Sequence, residues 1–170
     1  MNHQRLAWLC MGLLLAVVIG LVHPIAGAPT VLETVRVSVD SSGIQSNNAS
    51  LGSAISVNGR LVVFSSSATN LVPNDNNGKV DLFLHDRRTG HTTLLVVGLG
   101  GAQANRASYA AGFSDGDRYV TFFSYASNLV PNDTNDKGDV FIIDRYSSET
   151  TRVSVSSSGE EANGESGGLS

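Results

Sequence analysis

The stretch NLVPNDNNGKVDLFLHDR, residues 70–87, decides how the chain is read, because it returns at residues 128–145 as NLVPNDTNDKGDVFIIDR. Twelve of the eighteen positions are identical, and the two members of every pair are separated by the same step (128 − 70 = 58). Gly43, Gly101 and Gly159 follow this step as well. A fixed period of this length is typical of proteins built from stacked repeats. The sequence therefore predicts a repeat architecture.

Each period contains short, Val-rich or alternating segments separated by Gly, Asn, Asp and Ser, which is the pattern of strands and turns. Asn58-Gly59 is a strong hairpin signal between two of these segments. No segment after position 28 has the apolar spacing of a helix. The predicted strands are residues 34–39, 53–57, 60–66, 80–86, 91–97, 111–114, 118–124, 139–144 and 150–155.

Four short antiparallel strands per repeat are what one blade of a β-propeller requires. We therefore predict an all-β fold with about two blades, an extra outer strand at Thr34–Val39 and the start of a third unit. The repeats would be residues 34–91 and 92–149, followed by a truncated copy at 150–170, all within a partial propeller at 29–170.

Closed propellers have more blades than this, so two alternatives stay open. The chain is a piece of a longer propeller, or several chains complete the ring. The first is favoured because no capping form of a terminal repeat is visible. Under either alternative, uncovered blade faces predict self-association.

Two segments, SAISVNGRLVVFSS at residues 53–66 and VDLFLHDRRTG at 80–90, resemble the repeats of TolB-like β-propellers, which are similar to WD repeats. The resemblance covers residues 31–170. It implies protein–protein contact in the periplasm or at the cell surface, with a ligand at the loop-bearing rim or the central channel. It does not specify an activity, because this fold serves many functions.

The N-terminal segment, residues 1–28, has the order of a secretory signal peptide. A polar start with Arg5 precedes the apolar residues 6–22, and the small residues Ala26-Gly27-Ala28 follow. We therefore expect a signal peptide at 1–28 and a periplasmic or extracellular protein, with no membrane insertion after cleavage. The alternative is an uncleaved anchor, because the apolar run is at the lower limit for a membrane span.

The charge balance after position 28 excludes some partners. Ten basic and fifteen acidic residues give a formal charge of 10 − 15 = −5. Nucleic-acid binding needs a basic surface, and so does binding to anionic lipid. The single cysteine, Cys10, belongs to the predicted signal, so the remainder contains no disulfide.

Two Asx-rich loops are candidate calcium sites. Loop A (residues 74–81, NDNNGKVD) and loop B (residues 132–139, NDTNDKGD) place side-chain oxygens at equivalent positions, with Asp136 as an additional carboxylate in loop B. Ca²⁺ prefers such oxygen ligands, whereas Mg²⁺ rarely uses all-protein cages. The alternative is a structural turn, because Asn and Asp also bond to backbone N–H groups in turns. The candidate ligands are Asp75, Asn77, Asp81, Asp133, Asn135 and Asp139.

Other polar groups offer little chemistry. Asp81 with Asp86 recurs in the second repeat, and carboxylates present in every repeat are expected to be structural, paired with Arg60 or its counterpart. His85 and His91 are not repeated. No nucleophile–base–orienter set accompanies them. We therefore predict an exported, non-enzymatic module that binds a protein or ligand. The alternatives are the propeller domain of a hydrolase whose catalytic residues lie outside this chain, and an inactive remnant.

Overall fold

The strands follow the repeat step seen in the sequence. The computed structural model describes residues 33–167, and within them lie β1 (Ser50–Ile55), β2 (Leu61–Ser66), β3 (Asp81–Asp86), β4 (His91–Leu94), β5 (Ser108–Phe113), β6 (Tyr119–Ser124), β7 (Asp139–Asp144) and β8 (Glu149–Arg152). Strands β1–β4 form a first antiparallel sheet and β5–β8 form a second, each in chain order. Each strand of the second sheet begins one full repeat step after its counterpart, as Ser108 does after Ser50 (108 − 50 = 58). The predicted all-β fold with four-stranded units is confirmed.

The apolar residues of both sheets meet in one core. The rings of Phe122 and Phe141, on β6 and β7, are stacked with centroids 5.4 Å apart, and both are fully buried. Val63 and Leu82 of the first sheet belong to the same cluster. Because each sheet is only four strands wide, burial of this cluster requires both sheets.

A second cluster lies on the first sheet and contains Phe64 and Phe83, whose rings are 5.8 Å apart. Val37, from the segment that precedes β1, packs against it. Clefts of 390 and 230 Å³ remain beside this segment. A single extended segment therefore covers this face only in part.

Thr34–Val39, predicted as an outer strand, is not part of a sheet in the described residues. Within this segment only Val39 makes a β-bridge, to Gln45, whereas the near copy Thr150–Arg152 lies in β8 and pairs with β7. An outer strand needs the free edge of a sheet. By the repeat step the pairing partner of Thr34–Val39 would be residues 23–28 (81 − 58 = 23), which lie outside the described part of the chain, so its strand propensity is not realised there.

The opening of a third unit is present up to residue 167. The backbone N–H of Ser166 donates to the carbonyl of Gly138 at 2.9 Å, and Ser108 donates to Val80 at 2.8 Å in the same way. The bridge Val155–Glu161 also repeats an earlier one, Val97–Gln103.

The predicted signal peptide at 1–28 and the C-terminal positions 168–170 lie outside the described part of the chain. Within residues 33–167, no helix has the length and apolar character that a membrane span requires.

Candidate functional site

Loops A and B have the same backbone conformation, which positions their side chains alike. Asn74 and Asn132 open the loops with φ of 63° and 60°, a left-handed conformation that Asn tolerates. Further along each loop, Gly78 and Asp136 take φ of 64° and 56°. The Asp136 carboxylate, expected as an additional ligand, instead pairs with Arg106 on the surface at 2.6 Å.

The two predicted asparagine ligands position the carboxylates. Asn77 accepts a hydrogen bond from the N–H of Lys79 at 2.9 Å, which is the structural turn considered above. Its Nδ2 donates to Oδ1 of Asp81 and to the carbonyl of Ala104, both at 3.1 Å. Asn135 makes the equivalent contacts with Asp139 and Ala162, at 3.5 and 2.8 Å. Both amides thus present N–H groups, and not oxygen, to the neighbouring carboxylate.

Loop A buries two carboxylates. Asp75 is 8% exposed and Asp81 is 1% exposed. Oδ1 of Asp75 accepts from Nε2 of Gln103 at 3.3 Å. Burial raises the pKa of Asp75, and the Gln103 bond opposes that rise. Burial also raises the pKa of Asp81 to about 6. The hydrogen bond from Asn77 lowers this pKa, and the negative charge of Asp75 raises it further. The other oxygen of Asp81, Oδ2, is buried and has no hydrogen-bond partner among residues 33–167.

Loop B surrounds a guanidinium with carboxylates. Nη1 of Arg152 lies 2.6 Å from Oε1 of Glu161, 3.5 Å from Oδ1 of Asp133 and 3.6 Å from Oδ2 of Asp139. The hydroxyl of Ser154 donates to Oδ1 of Asp139 at 2.6 Å. Oxygens of the three acids lie within 4.8 Å of one another, a spacing that would suit a metal. Here, however, a side-chain cation is already present.

The surroundings of Arg152 shift the pKa of two neighbouring carboxyl groups in opposite directions. Burial raises the pKa of Asp133, and the charge of Arg152 opposes it. Burial alone would raise the pKa of Glu161. Hydrogen bonds from the backbone and hydroxyl of Thr134, from Asn135 and from Arg152 outweigh burial and lower this pKa to about 2. Glu161 is therefore ionised at neutral pH.

The two loops differ in the residues that face the buried aspartate. The position of Arg152 is taken by Leu94 in the first repeat, and that of Ser154 by Val96 (94 + 58 = 152; 96 + 58 = 154). Gln103 likewise stands where Glu161 follows. These residues are absent from the predicted ligand set, because they lie outside the two Asx-rich loops. The same comparison between repeats, extended to β4 and β8, would have identified them.

The remaining candidates have structural roles. The guanidinium of Arg60 bonds to Asp86, and that of Arg118 bonds to Asp144, which confirms the predicted pairing of a recurrent Asp with a recurrent Arg. Nδ1 of His85 lies 2.9 Å from the Thr92 hydroxyl. Burial lowers the pKa of His85.

A cleft recurs beside the outer strand of each sheet. In the first repeat its volume is 620 Å³, and Asp40, Ser41 and Thr92 line it. In the second repeat the volume is 290 Å³. There the N–H of Leu99 donates to the carbonyl of Asn128 at 2.7 Å, which holds the lining loop against the sheet.

Comparisons with known proteins give structural neighbours only. No protein-family model matches the chain, and no curated protein sequence does. A protein assigned as TolB from Agrobacterium tumefaciens aligns with a TM-score of 0.43 and 22% identity, over 68% of this chain and 33% of that one. TolB from Acinetobacter baumannii aligns with a TM-score of 0.41 and 14% identity, over 68% of this chain and 22% of that one.

This chain thus spans about a third or less of each neighbour. Both neighbours bear the name of the family that the repeats resemble, as the sequence predicts. At this level of identity the likeness concerns the fold alone.

Proposed function

We propose that this chain is an exported, non-enzymatic β-propeller module that docks with another propeller unit and is stabilised by calcium. Export is supported by the signal-like order of residues 1–28. A non-enzymatic role is supported by the way the recurrent acids are used. Asp86 and Asp144 are each paired with an arginine, as structural carboxylates are.

The observation that carries docking is the exposure of β1. Five of its six residues are exposed, whereas only one residue of β5, at the equivalent position in the second sheet, is exposed. Leu51 is 54% exposed and Ile55 is 58% exposed. Strand β5 is covered because the first sheet packs against it. The same surface on β1 is therefore open to an equivalent neighbour.

The contacts between the two sheets show what that neighbour would provide. The backbone N–H of Ala110 in β5 donates to the Ser65 hydroxyl in β2 at 2.9 Å. Asn58 donates to Asp117 across the same boundary at 3.0 Å. A propeller unit that approaches β1 with a β2-like face repeats this geometry. A second copy of this chain would present its second sheet to β1, and there Phe123 and Gly116 replace Ser65 and Asn58, so its contact would be apolar and would not repeat these two bonds.

Sedimentation velocity of the full chain tests docking. We expect association that increases with concentration, and we expect Leu51→Lys combined with Ile55→Lys to reduce it at least about tenfold, because two buried charges would be unpaired. Tyr146→Lys is the control, because Tyr146 is 74% exposed and lies outside β1. A monomeric wild type, or association unchanged in the double variant, would overturn this surface.

A further inference from the structure

We propose that the two Asx-rich loops have different cation requirements: loop A binds Ca²⁺ through Asp75 and Asp81, whereas in loop B the guanidinium of Arg152 takes the place of the ion. This inference rests on the calcium part of the proposed function and specifies it. It makes one repeat dependent on a diffusible ion and the other independent of it.

The partners of the buried aspartates carry the argument. Asp139 is fully buried, and both its oxygens have donors: Ser154 bonds to Oδ1, while Asn135 and Arg152 face Oδ2. Asp81 is equally buried, but its single donor within the described part of the chain is Asn77, on Oδ1. A buried carboxylate oxygen without a partner is costly, so a positive group is expected beside it.

The sequence explains why Asp81 lacks these donors. Leu94 and Val96 occupy the places of Arg152 and Ser154, and neither side chain can donate a hydrogen bond. Val96 is 1% exposed and belongs to the apolar core. The first repeat thus lacks two donors that the second repeat has, although it contains the same buried carboxylate.

Calcium fits what remains at loop A. Asp75 supplies a second negative charge, which acts on Asp81. The carbonyl of Ala104 accepts from Asn77 and has a second lone pair. Oε1 of Gln103 bonds to the N–H of Asn76 beside the site, at 3.3 Å. Hard oxygens of this kind, with water completing the shell, suit the irregular coordination of Ca²⁺ better than the strict octahedron of Mg²⁺.

Loop B is surrounded by more carboxylates than loop A, but their charge is already compensated by Arg152. Two of its carboxylates, Asp133 and Asp139, and that of Glu161 surround the Arg152 guanidinium, whose second nitrogen, Nη2, also bonds to the carbonyl of Asn132 at 3.0 Å. An entering Ca²⁺ would face a fixed positive charge within a few ångströms. The repulsion between the two cations would oppose binding in this buried place.

Isothermal titration calorimetry with CaCl₂ on the full, chelator-treated chain tests the asymmetry. We expect a single Ca²⁺ per chain, with affinity for MgCl₂ weaker by at least about tenfold. Asp81→Asn should abolish binding, and Asp139→Asn should leave it intact. Zero or two sites in the wild type, equal affinity for both ions, or retention of binding in Asp81→Asn would overturn the proposal.

Two exchanges between the repeats sharpen this test. Arg152→Leu removes the internal cation from loop B and should create a second Ca²⁺ site. Leu94→Arg with Val96→Ser should abolish the first site while the circular dichroism melt stays cooperative. If that variant does not fold, Arg152→Leu still decides, because a single site in Arg152→Leu would contradict the role given to the guanidinium.

The outcome is separable from docking. A chain that binds one Ca²⁺ but stays monomeric retains this inference and loses the docking surface. A chain that associates through β1 without binding Ca²⁺ retains the docking surface and loses the inference.

Discussion

The guanidinium of Arg60 donates through Nε to both carboxylate oxygens of Asp86, at 3.0 and 3.1 Å, and ties the start of β2 to the end of β3. These bonds hold the pKa of Asp86 well below its usual range. The equivalent pair, Arg118 and Asp144, lowers the pKa of Asp144 in the same way.

This pair predicts a pH dependence. Because the folded pKa of Asp86 is depressed, its contribution to stability is present above the unfolded value of about 3.9 and is lost as pH falls through the lower folded value. Asp86→Asn should lower the melting temperature by a few degrees at pH 7. The difference from wild type should shrink below about pH 4. Thermal melts at pH 7, 5 and 3 measure this, and a difference independent of pH would contradict it. Asp144→Asn should behave alike.

At two equivalent positions the repeats distribute side-chain volume differently: the second repeat has a large residue where the first has a small one, and a glycine where the first has a valine. A Cβ atom on Gly138 would lie 2.2 Å from the Phe123 ring, while the first repeat has Val80 and Ser65 at the equivalent positions. Gly138→Val should destabilise the fold by about 1–3 kcal/mol through this overlap.

Phe123→Ser in the same chain should recover part of that loss, because it recreates the combination of the first repeat. Urea unfolding of both single variants and the double variant gives the coupling energy, expected to be about 0.5–3 kcal/mol. Strictly additive effects would show that the two positions do not interact. Gly112→Ala is the control, because its nearest new contact would be 3.9 Å away, at Thr121.

Truncation of a stacked ring in the shared core should cause a large loss in the free energy of unfolding. Phe141 is fully buried among apolar neighbours, so Phe141→Ala should cost about 3–5 kcal/mol in the free energy of unfolding. Tyr146→Ala, at a position 74% exposed, should change it by less than about 0.5 kcal/mol. Chemical denaturation measures both, and similar losses in the two variants would argue against a core at this place.

In each repeat, an asparagine pair, here called a clasp, joins the loop before the first strand to the loop after the second strand. The N–H of Asn105 donates to Oδ1 of Asn128 at 3.0 Å, and Nδ2 of Asn128 donates to the Gln103 carbonyl at 2.9 Å. Asn47 and Asn70 make the matching bond at 2.9 Å. Asn128→Ala should lower stability by about 0.5–1.5 kcal/mol, since its hydrogen bonds are lost while water can reach the freed groups at this partly exposed place. Asn70→Ala should cost a similar amount. Unequal melting shifts would show that the clasps are not equivalent.

Repeat spacing and turn chemistry predict most of this fold. The strand Asp139–Asp144 agrees with its predicted bounds, and others differ by a few positions at an end. The exception is Thr34–Val39, whose local sequence favours a strand but whose pairing edge is not supplied by the described residues. Local propensity cannot report a missing neighbour.

The site is less predictable from sequence. The carboxylates of loops A and B follow from their spacing, but the direction of the Asn77 and Asn135 amides does not. Whether a buried Asp has a donor depends on residues further along the chain, on the next strand. Arg152 and Leu94 decide this, and neither belongs to a loop motif.

Each strand of the second sheet lies one repeat step of 58 residues after its counterpart, and this limits how the coding sequence can change in length. A crossover between the two copies adds or deletes one whole repeat and leaves every hydrogen-bonded rung in phase, since each strand has a counterpart at that offset. A deletion one codon shorter than a whole repeat would shift the strand at the junction by one residue and turn its side chains to the opposite face of the sheet. Recombination by whole repeats would thus lengthen or shorten the array by whole sheets, and we expect smaller insertions to be tolerated only in the turns.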